Sequence, residues 1–378
     1  MKKFKEPIFV TQPTLPSLND LNNQMKDVFE SKWLTNHGEK HNLLEKRLKE
    51  VLKVKNVSLF NNGTIALLTA LKAMTLPIGS EVITTPFTFA ATPHAISWNN
   101  LNPVFCDIEP NTMTIDSSKI EEHINDNTSA ILPVHVYGFP CDVEKIDKIA
   151  KEYNLKVIYD AAHVFSTEIE GIGIGNFGDI SMFSFHATKL FNTFEGGCLT
   201  YNEDFFKNKI NDLRNFGIRS EDKVVDIGIN GKMNELQAAI GLLNLELFEK
   251  EKEKRINIYN QYINNLKSIN GIKIPEFPKN SNNSGQYFPI IIEDNFNISR
   301  NELYNKLKEY NVFTRKYFYP LCSDYEPYKN LESSKKDNLP VANDIKNKVL
   351  CLPFYGDLSL DEVNKICEII DWINNKYK

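Results

Sequence analysis

The sequence predicts an α/β protein with a large, mostly parallel sheet and a smaller C-terminal α/β unit. Between about residues 40 and 250, helical and strand-like segments alternate, which is typical of a parallel sheet with helices on its faces. The strand-like segments are continuous apolar runs, as expected of strands that are buried on both faces. At 378 residues, of which 42% are hydrophobic, the chain is long enough to form two such units.

The elements of the large unit follow from apolar spacing. Five apolar runs predict strands, at 81–85, 104–108, 130–136, 156–159 and 180–185. Apolar side chains at helical spacing predict helices over 41–52 and 143–153. A capping box formed by Ser118 and Glu121 predicts the start of a third helix.

The C-terminal unit begins within a long helical stretch, 236–266. A polar, turn-rich segment at 278–285 follows and predicts a surface loop. Two further capping boxes, Ser299/Glu302 and Ser359/Glu362, predict helix starts in this unit. We therefore expect a large domain with an N-terminal arm over 1–250 and a small α/β domain over 251–378.

Composition excludes several classes of function. A net charge of −5 offers no electrostatic surface for nucleic acid, and no apolar run approaches the roughly 20 residues of a membrane span. The six cysteines form no C-x-x-C pair and the histidines no H-E-x-x-H motif, so no metal site is predicted. Positive charge at the start is not followed by a signal-peptide core. We expect a cytoplasmic protein without nucleic-acid or membrane partners.

Lys189 is the most informative residue, because it closely follows the apolar run 180–185. A buried ammonium without a partner loses hydration at a cost of several kcal/mol. A lysine in such a place commonly forms a Schiff base with pyridoxal phosphate (PLP). The alternative is a lysine that extends from a strand end to the surface.

Asp160 ends the apolar run 156–159 and would meet a ligand at the carboxyl edge of a parallel sheet. An ionised carboxylate there could keep the pyridine nitrogen of PLP protonated, so that the ring acts as an electron sink. The alternative is an aspartate that caps a turn. His163, three residues later, could reach the ring or its O3′ oxygen, or could be a structural histidine.

A phosphate cradle is predicted at Asn62, Gly63 and Thr64, just before a helical segment. Glycine allows close approach of the backbone, and a helix N-terminus offers free N–H groups to an anion. Ser184 would add a hydroxyl, although N-G-T is also a common turn and cap. For stacking on the PLP ring, Phe89 is preferred to Phe87, and either could instead be a core residue.

Several motifs in order carry a family resemblance. They are N-N-G-T-I-A-L (61–67), T-P-F-T-F-A-A-T (85–92), P-V-H-V-Y-G (133–138), Y-D-A-A-H (159–163), S-F-H-A-T-K with E-G-G (184–197) and G-x-N-x-x-M-N-E-L-Q-A-A-I-G (228–241). The chain resembles the DegT/DnrJ/EryC1/StrS family of PLP-dependent nucleotide-sugar aminotransferases from about residue 8 to the C-terminus. The resemblance implies the aspartate aminotransferase (type I) fold and a homodimer whose active sites lie at the subunit interface.

The resemblance also implies roles for single residues. Lys189 would bind PLP covalently and Asp160 would pair with its N1, as the chemistry suggests. Phe89 would stack on the ring, and Asn230 would reach the phosphate of the partner's cofactor. The implied phosphate contacts are Gly63, Thr64 and Ser184. A branch of the family with histidine in place of the lysine dehydrates sugars, and Lys189 disfavours that branch.

The motifs S-K-W-L-T-N-H-G (31–38), S-L-F-N-N-G-T (58–64) and 184–197 are most similar to members that aminate C4 of dTDP-4-keto-6-deoxyglucose. The resemblance implies glutamate as the amino donor. Alternatives are C3 amination of a dTDP-3-keto-6-deoxyhexose, a UDP- or GDP-linked 4-keto sugar, or a non-catalytic regulatory protein. Lys232 and Cys322 replace an arginine and a histidine that are common in the family. Both positions lie near the expected sugar or partner contacts, so these differences weaken the assignment of the sugar substrate rather than that of the cofactor. The candidate substrate contacts are Trp33, Thr35, His186, Tyr317 and Phe318.

Overall fold

The structure is a computed structural model that describes residues 1–378. The strands are β1 (Ile8–Phe9), β2 (Asn56–Phe60), β3 (Glu81–Thr84), β4 (Asn102–Phe105), β5 (Thr128–Leu132), β6 (Lys156–Asp160), β7 (Glu168–Ile169), β8 (Ile172–Gly173), β9 (Ile180–Ser184), β10 (Gly197–Tyr201), β11 (Ile218–Ser220), β12 (Lys223–Val224), β13 (Ile272–Lys273), β14 (Phe288–Ile292), β15 (Val312–Phe313) and β16 (Val349–Leu352). The α-helices are α1 (Leu18–Ser31), α2 (Glu39–Leu52), α3 (Gly63–Ala73), α4 (Ala91–Trp98), α5 (Val143–Glu152), α6 (Phe205–Leu213), α7 (Glu235–Leu266), α8 (Arg300–Glu309), α9 (Pro340–Lys348) and α10 (Leu360–Lys376). None of the ten α-helices combines the length and the apolar character that a membrane span requires.

Seven strands form the central sheet in the order β2-β10-β9-β6-β5-β3-β4. All neighbours are parallel except at β10, which runs antiparallel to both β2 and β9. The five predicted strands are present as β3, β4, β5, β6 and β9, with ends shifted by a few residues. Strands β2 and β10 are not predicted by apolar runs, because polar residues such as Ser58 and Thr200 interrupt those runs. Both residues are nevertheless buried in the sheet.

The predicted helices 41–52, 143–153 and 236–266 are confirmed as α2, α5 and α7. The helix predicted from Ser118 and Glu121 is wrong, since only a short 3₁₀ turn, Ile120–His123, forms there. The Ser118 hydroxyl donates to Asp116 Oδ1 at 2.6 Å, and the Ser118 N–H donates to the same oxygen at 2.9 Å. This local turn competes with the cap that a helix would need.

The C-terminal unit contains the antiparallel sheet β13-β14-β16, against which α8 and α10 pack. The capping boxes at Ser299/Glu302 and Ser359/Glu362 are confirmed, each with both reciprocal hydrogen bonds. The N-terminal segment also belongs to this core, because β1 pairs in parallel with β15 and Phe4 is buried there. The two ends of the chain therefore fold together.

Helix α7 runs through residue 250, where the domain boundary is predicted. Its first half packs in the core of the large sheet, whereas Ile258, Tyr262 and Leu266 lie in the C-terminal core. A division into 1–250 and 251–378 stays a prediction. The segment 278–285 is a loop, but its end is not at the surface, since Ser284 and the following Gln286 are buried.

Candidate active site

A cavity of about 250 Å³ lies at the carboxyl ends of the parallel strands, where ligands of open α/β sheets bind. The sheet brings together most of the predicted site residues in its lining. These are Asn62, Gly63, Thr64, Phe89, Asp160, His163, Ser184, His186, Lys189, Tyr317 and Phe318. Residues from distant parts of the sequence therefore converge at one edge of the sheet.

Lys189 lies on the turn that follows β9, where its N–H donates to the His186 carbonyl at 2.8 Å. Its Nζ lies 6.0 Å from the centre of the Tyr287 ring. Loss of hydration lowers the pKa of Lys189 to about 8, although the charge of Asp160 opposes this shift. At pH 7 about a tenth of the amine is therefore neutral, far more than for an unperturbed lysine, and the neutral amine is the form that attacks a carbonyl carbon.

Asp160 is buried at the end of β6 and is held by two donors. Thr92 Oγ1 donates to Oδ2 at 2.8 Å, and the Ala162 N–H donates to Oδ1 at 3.1 Å. Burial raises the pKa of Asp160, while these hydrogen bonds and the nearby Lys189 favour the ionised form. The Thr92 hydroxyl also bonds to that of Thr88 at 2.9 Å. The carboxylate is thus fixed in one orientation.

His163 is buried beside the same cavity, and its tautomer follows from one contact. The Tyr137 N–H donates to Nδ1 at 3.2 Å, so the ring proton of the neutral imidazole resides on Nε2. Burial holds the pKa of His163 well below its usual range, and the charge of Lys189 lowers it further. The imidazole is therefore a neutral donor at Nε2.

The predicted phosphate cradle is the first turn of α3. Asn62 caps the helix, and its Oδ1 accepts from the Ile65 N–H at 2.8 Å. The N–H groups of Gly63 and Thr64 have no acceptor within the helix, because they belong to its first turn. A Cβ at Gly63 would lie 3.0 Å from Ser184 Cβ and 3.2 Å from Ser184 Oγ. The space beside the first turn of α3 is therefore open only because residue 63 lacks a side chain. The free N–H groups there suit an anion the size of a phosphate group.

The two phenylalanines of the motif 85–92 have different surroundings. Phe87 is buried, with edge-on contacts to Tyr137 and Phe318 at centroid distances of 5.9 and 5.7 Å. Phe89 is 61% exposed and lines the cavity. Phe89 is therefore the ring that is free to stack on a planar ligand, and Phe87 is a core residue.

Three predicted residues lie outside the cavity lining: Trp33, Thr35 and Asn230. Trp33 and Thr35 are exposed, and the Trp33 indole donates to the Asn36 carbonyl at 2.8 Å. Asn230 is exposed close to the cradle, because its carbonyl accepts from Asn61 Nδ2 at 3.3 Å. Its side-chain oxygen accepts from Lys232 Nζ at 2.8 Å. Asn230 therefore approaches the cradle without entering the cavity.

Several lining residues were not predicted, namely Thr88, Thr188, Glu195 and Tyr287. Thr88 and Glu195 belong to motifs noted in the sequence, so their proximity to Phe89 and Lys189 was the available signal. Tyr287 precedes β14 in the C-terminal part of the chain and carries no local motif. Only the packing of the C-terminal unit against the sheet places its ring at 5.0 Å from that of His163.

Residues 18–371 match the model of the DegT/DnrJ/EryC1/StrS aminotransferase family. The chain belongs to this family. Its relatives include the dTDP-4-amino-4,6-dideoxy-D-glucose transaminases of Shigella dysenteriae and Escherichia coli, each 48% identical. The first alignment covers 97% of this chain and 99% of the relative, and the second covers 96% and 97%. Among solved structures, DesI in the presence of its TDP-sugar product superposes with a TM-score of 0.94 at 30% identity, over 100% of this chain and 95% of DesI.

Membership in the DegT/DnrJ/EryC1/StrS family confirms the predicted class of enzyme. The protein is a PLP-dependent sugar aminotransferase with the predicted fold. The geometry of the cavity supports PLP independently of these comparisons. One space is surrounded by an open anion cradle, the exposed ring of Phe89, Lys189 and the oriented carboxylate of Asp160.

Proposed function

We propose that the enzyme transfers the amino group of L-glutamate to C4 of dTDP-4-keto-6-deoxyglucose. The products would be 2-oxoglutarate and dTDP-4-amino-4,6-dideoxyglucose. The structural observation that carries the proposal is the presence of Lys189 and Asp160 in one cavity with an open anion cradle. The choice of nucleotide, sugar and carbon is supported by the 48% identity to transaminases named for this product.

In the proposed site, the phosphate of PLP would be bound by the N–H groups of Gly63 and Thr64 and by the Ser184 hydroxyl. Phe89 would cover one face of the ring. Asp160 would pair with the pyridine nitrogen, and His163 would donate from Nε2 to the O3′ oxygen. PLP supplies an aldehyde that carries amino groups and a protonated ring that withdraws electrons.

Lys189 performs the proton transfers in this proposal. Its Nζ, with a pKa lowered to about 8, takes the proton from the carbon that bears the donor amino group. The same Nζ later delivers a proton to C4 of the sugar. Asp160 keeps its negative charge next to the ring nitrogen throughout, because Thr92 and the Ala162 N–H stabilise the ionised form.

We also propose a homodimer with shared sites, in which Asn230 serves the partner's phosphate group. Exposed apolar side chains cluster near Asn230, with Phe216 at 49% and Ile227 at 84% exposure. Such an exposed apolar patch supports the proposal that a second subunit covers this surface.

We also propose that the enzyme is cytoplasmic. All six cysteines are buried thiols, as expected in a reducing compartment. The product would serve the synthesis of O-antigen or another surface glycan.

The test is incubation of the PLP-loaded enzyme with glutamate and a panel of keto sugars linked to dTDP, UDP or GDP. NMR of the products identifies the aminated carbon, with Lys189→Ala as the inactive control. We expect a 4-amino-4,6-dideoxyglucose product from the dTDP sugar. A 3-amino product, or preference for a UDP or GDP sugar, would replace the proposed substrate, and the absence of product from the whole panel would overturn the proposed reaction.

A further inference from the structure

Gln286 contacts the backbone on both sides of Lys189. Its Oε1 accepts from the Leu190 N–H at 2.9 Å, and its Nε2 donates to the Thr188 carbonyl at 3.2 Å. Gln286 is 5% exposed and does not line the cavity. Its side-chain amide therefore pairs with the two peptide groups that flank Lys189, much as a neighbouring strand would.

This double contact matters because the turn that carries Lys189 has few other restraints. Between His186 and Leu190, the other backbone hydrogen bonds are all local. The Lys189 N–H donates to the His186 carbonyl, the Thr188 N–H donates to His186 Nδ1 and the His186 N–H donates to Ser184 Oγ. Without Gln286, the Leu190 N–H and the Thr188 carbonyl would lose their side-chain partner in a largely buried place. The backbone of Lys189 could then rotate, and a small rotation at Cα becomes a large displacement at Nζ.

Gln286 is itself held firmly by its neighbours. The Gly285 carbonyl accepts from Arg255 Nη1 at 3.2 Å, and Arg255 is fully buried on α7. Arg255 Nε donates to Glu251 Oε1 at 2.8 Å. The next residue, Tyr287, places its ring 6.0 Å from Lys189 Nζ. The segment 285–287 thus connects a buried ion pair on α7 to both the backbone and the amine of the lysine.

We propose that Gln286 is a positioning residue that holds Lys189 Nζ in the orientation for covalent attachment of PLP. The proposal rests on the proposed role of Lys189. Gln286 would act through Lys189 alone, since it is separate from the phosphate cradle and from Asp160. Its removal is therefore expected to slow the covalent step without weakening the preceding non-covalent binding.

The test mixes cofactor-free enzyme with PLP in a stopped-flow spectrometer. In the covalent step, Nζ adds to the aldehyde carbon and one water leaves, which is followed by near-visible absorption. The dependence of the rate on PLP concentration separates non-covalent affinity from the first-order rate constant. For Gln286→Leu, we expect that rate constant to fall at least about tenfold, while the half-saturating PLP concentration stays within about twofold.

Gln261→Leu is the matched control. Gln261 is an amide on α7 whose Nε2 donates to Asn364 Oδ1 at 2.6 Å, away from the cavity. Loss of that hydrogen bond is expected to lower the unfolding midpoint without slowing PLP attachment. Gln286→Glu provides a second variant of the same shape, in case Gln286→Leu does not fold. It places an oxygen against the Thr188 carbonyl and is expected to slow attachment as well.

A rate constant within about twofold of the parent in a folded Gln286 variant would overturn the proposal, since a tenfold effect is expected of a displaced amine. An equal slowing of PLP attachment in Gln261→Leu would also overturn the proposal. Failure of the proposed role of Lys189 looks different. In that case borohydride reduction followed by peptide mass analysis would find no PLP on Lys189 of the parent enzyme.

Discussion

The Thr92 hydroxyl donates to Asp160 Oδ2 at 2.8 Å and joins the start of α4 to the carboxyl end of β6. A buried carboxylate is costly unless donors stabilise its charge. Thr92 supplies one of the two donors, and its hydroxyl is itself bonded to that of Thr88. This contact orients the charge that the proposed mechanism needs at the pyridine nitrogen.

Thr92→Val keeps the shape of the side chain and removes the donor to Asp160. A hydrogen bond to a charged group contributes about 1.5–3 kcal/mol, so kcat/KM for glutamate is expected to fall about tenfold or more. Thr200→Val is the control, because Thr200 is a buried threonine that donates to the Gly175 carbonyl at 2.8 Å, outside the cavity. Equal kcat/KM values for the two variants would contradict a role for Thr92.

Asp160→Asn removes the charge and leaves the shape. Both half-reactions are expected to slow by at least about a hundredfold, more than in Thr92→Val, because the ring nitrogen loses its anionic partner. Separate single-turnover measurements with glutamate and with the sugar check this. Rates within about threefold of the parent, which is below 1 kcal/mol, would reduce Asp160 to a turn cap.

Lys189→Met is expected to change how stability depends on pH in the cofactor-free enzyme. The pKa of Lys189 is about 8 in the folded state against 10.5 for an unperturbed lysine, so the unfolded chain binds more protons between these values. The lysine therefore makes the folded state more stable as pH rises through this window, by at most about 1.4 kcal/mol per pH unit.

Urea unfolding of the parent and of Lys189→Met at several pH values between 7 and 11 measures this effect. The free energy of the parent is expected to rise relative to that of Lys189→Met as pH increases, because methionine has no proton to lose. A difference that stays constant with pH would show that Lys189 is hydrated in the folded protein.

Gly63→Ala is expected to weaken PLP binding at least about tenfold, since the new Cβ would lie 3.0 Å from Ser184 Cβ and intrude on the cradle. Gly241→Ala is the control. A Cβ there would lie 2.8 Å from Leu44 Cδ2, outside the cavity, so only stability is expected to fall. Fluorescence titration with PLP and thermal unfolding separate the two effects. An unchanged PLP affinity in Gly63→Ala would show that the first turn of α3 does not bind the phosphate of PLP.

Mixed dimers test the role of Asn230. A subunit with Lys189→Ala combined with one carrying Asn230→Ala would form one site with both changes and one site with neither. Activity is therefore expected to return in part on mixing, relative to either homodimer. If heterodimers form, as tagged co-purification can establish, and activity stays absent, each site uses the Asn230 of its own subunit.

The sheet could be predicted from the sequence because buried parallel strands produce long apolar runs. The residues that follow these strands, such as Asp160 and Lys189, were predictable for the same reason, since the carboxyl ends of parallel strands meet at one edge. Ser118 and Glu121 show the limit of local motifs. Nothing in the capping-box pattern indicates that Asp116 would bind the serine first.

Tyr287 and Gln286 could not be predicted, because their part in the site depends on how the C-terminal unit packs against the large sheet. The segment 278–285 was expected at the surface because of its polar composition. Its end is instead buried against the turn of Lys189, where Gln286 satisfies peptide groups of that turn. A polar composition predicts that a segment is exposed to solvent. It does not indicate whether a polar side chain will find hydrogen-bond partners inside the fold.

The parallel pairing of β1 with β15 constrains how the protein is made. Ile8 leaves the ribosome about 300 residues before Val312, its partner in the register. During synthesis, the first segment has no strand to pair with until residues 312 and 313 have been translated, and the C-terminal core that it joins extends to Ile373. A bulky tag fused directly before Phe4 is therefore expected to slow the last step of folding more than a tag at the C-terminus.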